Sequence, residues 1–238
     1  MVRRSGCLAV LLIVALGATI LSVLLPSVAT GLVTLGLEAA GLRADRLNVS
    51  VEADPPFRLL LARADRVVIE ATGVRWETTS AGLLSLVLYG VDLVARRAET
   101  IDGQLTDVRV TNSPAGPVAI ASVTISGSGN GPQARALVAP AEAARVVRAL
   151  AGSVGLAGAR IALEPLDRVL VTVAGLRVEA RVVVTGGAVV VTATGLPNLV
   201  VLRAGSVGGL QIRSVGVAAD GGFVIEGRLD PAIFGLAP

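Results

Sequence analysis

From Leu176 to Val184 the chain alternates without a slip. Leu176, Val178, Ala180, Val182 and Val184 are apolar, and Arg177, Glu179 and Arg181 stand between them. Successive side chains of a β-strand point to opposite faces, so this spacing puts one face in a core and the other in water. A helix, with faces that recur every ~3.6 residues, cannot satisfy it. Phe223 to Asp230 repeats the device, with Phe223, Ile225 and Leu229 on one side and Glu226, Arg228 and Asp230 on the other. Gly186-Gly187 and Asp220-Gly221-Gly222 fall where such strands need hairpin turns. Val118 and Ile120 are followed by Val123 and Ile125, a change of phase that predicts a bulge near Ala121-Ser122. Bulges add bend and twist, so curved strands are expected.

Two segments follow a helical period instead. Val28, Leu32, Leu35, Ala39 and Leu42 form one apolar stripe, which predicts a helix reaching about Arg43. The second runs from Pro140 to about Ala151, with Pro140 at the first position, Glu142 at the positive end and a stripe of Ala143, Val146, Val147 and Leu150. Leu196-Pro197 is read as the opening of a short third helix. Ser126 to Pro132, rich in Gly and Ser, is the best candidate for a mid-chain joint. The segment 64–77 aligns with 166–179 at six of fourteen positions. Two readings stand: reuse of strand–Gly–strand phrasing, or two similar halves at about 31–131 and 132–238.

No charged residue occurs between Arg4 and Glu38, and Cys7 to Leu25 is almost wholly apolar. About 20 such residues cross a bilayer core as a helix. Arg3 and Arg4 before it leave the N-terminus cytoplasmic. Residues 1–30 are therefore expected to form a single-pass transmembrane anchor and 31–238 an extracytoplasmic domain on the periplasmic or cell-wall side. A cleaved signal is the rival reading, with Ser27-Val28-Ala29 as the small-residue site and secretion as its result. Cys7 opens the apolar run, where a lipoprotein would carry its Cys after it. Beyond the anchor the chain is still about half hydrophobic.

The chemistry available is narrow. There is no His, all 21 basic residues are Arg, and Cys7 is the one Cys. His-based triads, most catalytic zinc sites, Ser–Lys dyads and disulfide scaffolds are excluded. No Ser sits in a Gly-x-Ser-x-Gly elbow, and the Gly127–Gly131 run lacks the ending of a phosphate loop. Most carboxylates, such as Glu179 and Glu226, fall on wet strand faces. The net charge of +3 comes largely from Arg3 and Arg4, and no basic patch of the nucleic-acid type is seen. The chain is thus expected to be no enzyme, to bind no nucleic acid, and to hold no metal or cofactor. Val-rich strands with few large aromatics lead to two readings of the interior: a filled β core, or a dry groove or tunnel suited to acyl chains, worth about 0.8 kcal/mol per buried CH2.

Along nearly its whole length the chain resembles the LmeA family of phospholipid-binding envelope proteins. The resemblance is carried by the Arg-bearing membrane segment, the amphipathic helix after it, Asp54-Pro55-Pro56-Phe57, the strand Asp65–Thr72 with Gly73-Val74, and a second Gly-Val step at Gly90-Val91. The mid-chain helix from Pro140 and the C-terminal strands at 176–194 and 210–229 continue it. It implies a tubular lipid-binding architecture, phospholipid ligands with phosphatidylinositol among them, and a role in lipid or lipoglycan handling at the membrane.

The expected fold is therefore α+β and mainly β: a long curved antiparallel sheet wrapped around a few amphipathic helices, with an apolar groove or tunnel. Acyl chains would meet Val67, Ile69, Val169, Val171, Val178 and Val182 on strands, and Leu32, Leu35, Val147 and Leu150 on helices. Arg75 or Arg177 would meet a phosphate headgroup, since guanidinium binds phosphate oxygens in pairs. The alternative is a structural envelope protein with a filled β core, with partner proteins unspecified. A tunnel smaller than about 300 Å3, the low end for ligand pockets, favours that alternative.

Overall fold

The computed structural model describes residues 24–38, 42–61, 63–76, 97–111, 113, 115–128, 131–156, 158–195, 197–203 and 210–229. Arg3, Arg4, Cys7, Gly90-Val91 and nearly all of the apolar N-terminal run lie outside them. Among the described residues no helix is long and apolar enough to cross a membrane.

Residues 24–38 form helix α1. The order then runs β1 (Leu42–Arg43), β2 (Arg46–Glu52), a 3-10 turn (Pro56–Leu61), β3 (Arg66–Thr72), β4 (Arg75–Trp76), β5 (Thr100–Val110), β6 (Val118–Gly127), β7 (Gln133–Val138) and α2 (Pro140–Ser153). After α2 come β8 (Arg160–Glu164), β9 (Arg168–Val173), β10 (Leu176–Thr185), β11 (Ala188–Ala193), β12 (Leu199–Leu202), β13 (Leu210–Val217) and β14 (Phe223–Leu229). The described chain is mainly β, with few helices, as the alternation requires.

There are two sheets, not one. The first has nine strands in the path β1-β4-β5-β6-β7-β14-β13, with β3 joining β2 to β5. The pairs Arg46↔Thr72 and Leu42↔Trp76 share one antiparallel register, so β1 and β2 follow a single line, as do β3 and β4. Both β3 and β4 run parallel to β5, through Thr72↔Thr106 and Arg75↔Arg109, which makes this sheet mixed where an antiparallel one was expected. Gly73 lies between β3 and β4 with φ +68°, and a Cβ there would overlap the Asp45 side chain. The positive φ and the close Asp45 side chain both favour glycine at that crossing.

The second sheet is an antiparallel meander, β8 to β12 in chain order. It is inserted between β7 and β13, two strands of the first sheet, so the chain does not divide into halves at 131/132. β6 and β7, on either side of the Gly- and Ser-rich stretch, pair through Ser126↔Gln133 in one sheet, so no joint between separate domains falls between them. The aligned segments 64–77 and 166–179 also differ in shape. Around Gly73 the chain continues along β5; at Ala174-Gly175 it reverses from β9 into β10, with φ +49° and +85°.

Helix α2 touches β8 and β12, the two edges of the meander, and also β6. At 14 residues α2 is about as long as a five-stranded sheet is wide, so it reaches from one edge to the other. Its buried residues are Ala143, Val146, Val147, Leu150 and Ala151, the stripe the sequence predicts with one residue added. The two sheets are tied where Leu166 and Val217 exchange backbone hydrogen bonds of 3.1 and 2.8 Å. Gly216 permits this approach, since a Cβ there would lie 2.8 Å from the Leu166 carbonyl.

One continuous cluster of buried apolar residues joins α1, α2 and both sheets. It includes Ala29, Val33 and Leu37 of α1, Val67 of β3, Ile120 of β6, Val146 of α2, Val169 of β9, Val182 of β10 and Phe223 of β14. The Gly186-Gly187 turn has the two positive φ angles of a tight hairpin and pairs Thr185 with Ala188. The irregularity expected near Ala121-Ser122 is present in another form. Buried positions change phase on both strands together, from Leu105 to Val108 on β5 and from Ile120 to Val123 on β6, while register is kept. Asp107, at φ +52°, marks the switch. Two further expectations are corrected. Leu42 is in a strand, not on a helical stripe, and Pro197-Asn198 leads into β12 without a helix.

Core and surface leucines should separate cleanly in stability. Leu202→Ala, at a site 1% exposed, is expected to cost about 2–5 kcal/mol, whereas Leu176→Ala, at a site 73% exposed, should change stability by less than about 0.5 kcal/mol. Urea unfolding midpoints of the two variants measure the difference.

Candidate functional site

Two concave features bear on the predicted residues. The first lies between α2 and the inner face of the meander, lined by Val147, Leu150, Val171, Val178, Ala180, Val191 and Leu199 among others. The fold thus brings four predicted cavity residues together. The empty space they enclose is about 30 Å3, room for roughly one water and far below an acyl chain's needs. Val169 and Val182 are buried in the surrounding core, while Val67 and Ile69 lie on β3 of the other sheet and do not line this void. Val, Ala and Leu side chains are small enough for the meander to close on α2. Scarce aromatics therefore led here to close approach of the layers.

Leu32 and Leu35 are corrected. They do not form an inner wall: α1 buries Ala29, Val33, Gly36 and Leu37, and turns Leu24, Val28, Leu32 and Leu35 outward at 55%, 57%, 40% and 53% exposure. Spacings of four, four and three put these four on one stripe of the helix surface. A second exposed apolar group, Phe57, Leu60 and Leu61, sits on the 3-10 turn. Arg58 fixes that turn by pairing with Asp65 and, at 2.8 Å, with Glu99 at the start of β5. The hydrogen bond to Glu99 is the main cause that raises the Arg58 pKa above its ordinary value.

The second concave feature is a polar groove of about 400 Å3. Its walls are Asp45, Thr72, Gly73 and Arg75 from the β1–β4 region, Asp107 and Arg109 from β5, Ala119, Ile120 and Ala121 from β6, and Ala139 and Glu142 at the start of α2. Arg75 is therefore placed in a groove, as a headgroup candidate should be, but its guanidinium is held 3.1 Å from Asp45. Arg177 lies on the exposed face of β10, 4.0 Å from Glu164, and does not line the groove. The fold does not bring the two predicted arginines to one site.

Arg109 was missed. In sequence it is one more charged residue on an alternating strand. It reaches the groove because the parallel register sets it opposite Arg75. Glu142 closes the groove's α2 end. Its carboxylate accepts the Ala119 backbone N–H at 2.8 Å and both Nε and Nη2 of Arg145 at 2.7 Å. The Arg145 hydrogen bonds are the largest cause holding its carboxyl below the usual glutamate range. Among the described residues no group of three His, Cys, Asp or Glu side chains is placed to hold a metal ion.

Compared with protein-family profiles, curated proteins and solved structures, the chain gives no match. The likeness to the LmeA family rests on the residues quoted above alone.

Because the folded-state pKa of Glu142 is depressed, its contribution to stability is present above the ordinary glutamate pKa and is lost as pH falls through the lower folded value. Glu142→Gln should therefore lower stability by on the order of 1 kcal/mol near neutral pH and flatten the loss on acidification. Urea midpoints at about pH 7 and about pH 3 test both parts.

Proposed function

We propose that this is a membrane-anchored extracytoplasmic phospholipid-binding protein that supports lipid or lipoglycan handling in the cell envelope. The observation that carries this reading is the outward stripe Leu24, Val28, Leu32 and Leu35 on α1, which directly continues the uncharged apolar run from Cys7. An apolar stripe exposed to water costs free energy, and one that prolongs a membrane-spanning run meets lipid without any rearrangement. The LmeA-like order of elements supports the same reading, as does a charged groove of headgroup size that includes Arg75. Acyl chains are met at the outer face of α1 in this proposal. The void against α2 is too small to take them.

One observation favours the second reading, a scaffold protein with no lipid ligand. The meander and α2 enclose only about 30 Å3, below the ~300 Å3 at which ligand pockets begin.

The full-length chain, purified in detergent or nanodiscs and examined by native mass spectrometry and lipidomics, separates the two. Phospholipid binding predicts a headgroup class enriched over the bulk membrane and retained as adducts. Leu32→Glu with Leu35→Glu should cut that retention about tenfold while leaving the unfolding midpoint nearly unchanged, since both sites are exposed. Lipid in bulk proportions, with no effect of the double variant, would establish the scaffold.

A further inference from the structure

We propose that the groove beside β4 and β5 recognises a zwitterion carrying a phosphate and a primary ammonium, as in phosphoethanolamine, with Arg109 facing the phosphate and Asp107 the ammonium. The argument starts from register. Arg75 and Arg109 are direct partners across β4 and β5, so two guanidinium-bearing side chains share one side of the groove. Like charges held opposite one another repel, and an anion between them relieves the repulsion.

Pairing within the protein then leaves an unequal remainder. Asp45 takes Arg75 at 3.1 Å, and Arg145 takes Glu142 at 2.7 Å. The side chains of Asp107 and Arg109 make no hydrogen bond or ion pair among the described residues, although both line the groove. Two residues apart on β5, their α-carbons are roughly 6–7 Å from each other. A guanidinium and a carboxylate are thus left open side by side.

The surroundings narrow the class. A simple dianion such as inorganic phosphate would gain Arg109 but face the carboxylates of Asp107, Asp45 and Glu142. A simple cation would face two arginines. A ligand with both signs satisfies both open groups, and the exposed Ala119 and Ala121 supply an apolar floor for the short carbon spacer between them. A quaternary ammonium is recognised by aromatic faces, and among the described residues no aromatic side chain lines this groove. A primary ammonium instead donates N–H bonds to a carboxylate, which Asp107 provides. The same chemistry is offered by the free compound and by the headgroup of phosphatidylethanolamine. The lipid source rests on the proposed function; the free source does not.

The test uses the full chain in phosphatidylcholine nanodiscs, titrated calorimetrically with phosphoethanolamine, inorganic phosphate and ethanolamine. Phosphoethanolamine should bind about tenfold or more tightly than either part alone. Asp107→Asn, which keeps a residue tolerant of positive φ, and Arg109→Gln should each weaken it about tenfold, with Arg109→Lys recovering part of the loss. Arg160→Gln on the exposed edge strand β8 should have no effect. Phosphate binding as tightly as phosphoethanolamine, or unchanged affinity in either groove variant, would overturn the site. Nanodiscs containing phosphatidylethanolamine form the second arm. Competition with the free compound supports a lipid source. Binding of the free compound without such competition would keep the groove and overturn the lipid-binding reading.

Discussion

Contact of α2 with both edge strands of the meander, β8 and β12, governs the shape of the second sheet. A flat sheet five strands wide spans roughly 20 Å between its edges, about the length of the 14-residue α2, so one helix laid across the strands reaches both edges and ties them together. The layers close tightly because what lies between them is small: Val147, Ala151, Val171, Ala180 and Val191 against one another, with a void of about 30 Å3. Larger side chains on either face would hold the layers apart. The same composition that suggests an empty tunnel therefore produces a closed core once the layers meet. The tie between Leu166 and Val217 then fixes the meander to the edge of the first sheet.

What the sequence discloses is what local spacing encodes. The α2 stripe, the wet face of β10 and the turns at Gly186-Gly187 and Asp220-Gly222 each depend on residues within one or two turns of chain. The face of α1 is not encoded in that way. Apolar residues occur all round it, and hydropathy favours the larger leucines as the buried side. Packing chose instead the face of Ala29, Val33, Gly36 and Leu37, three of them small enough to admit close approach. The repeat misleads for a related reason. Its shared Gly serves a straight crossing beside Asp45 at Gly73 and a hairpin at Gly175, and which of these occurs depends on partners elsewhere in the chain.

The groove shows the same limit more sharply. Arg75 stands out in sequence through its likeness to Arg177, yet in the fold it is neutralised by Asp45. Arg109 carries no local signal; its position follows from parallel pairing over 34 residues, between Arg75 and Arg109. Asp107 faces the groove where both β5 and β6 change phase, and a positive φ at one residue sets that change. Charge complementarity of a site is a property of strand order and register. Neither is written in the spacing of charges along one strand.

The small void between α2 and the meander also bears on how a lipid is handled under the proposed function. A protein with a tunnel can carry an acyl chain away from the bilayer, because the tunnel replaces the hydrocarbon. With a void of about 30 Å3 the chains lose roughly 0.8 kcal/mol per CH2 if they leave the membrane and find no other apolar cover. Where no larger cavity offers cover, a lipid is engaged while its tails stay in the bilayer or lie along an exposed apolar stripe. An N-terminal anchor then has a physical purpose beyond location. In that proposal it would keep α1 beside the membrane surface at high effective concentration, so that weak headgroup contact and partial apolar cover suffice. Under the proposed function the apolar residues divide between a core that holds the fold and the exposed stripe on α1, which would meet the bilayer.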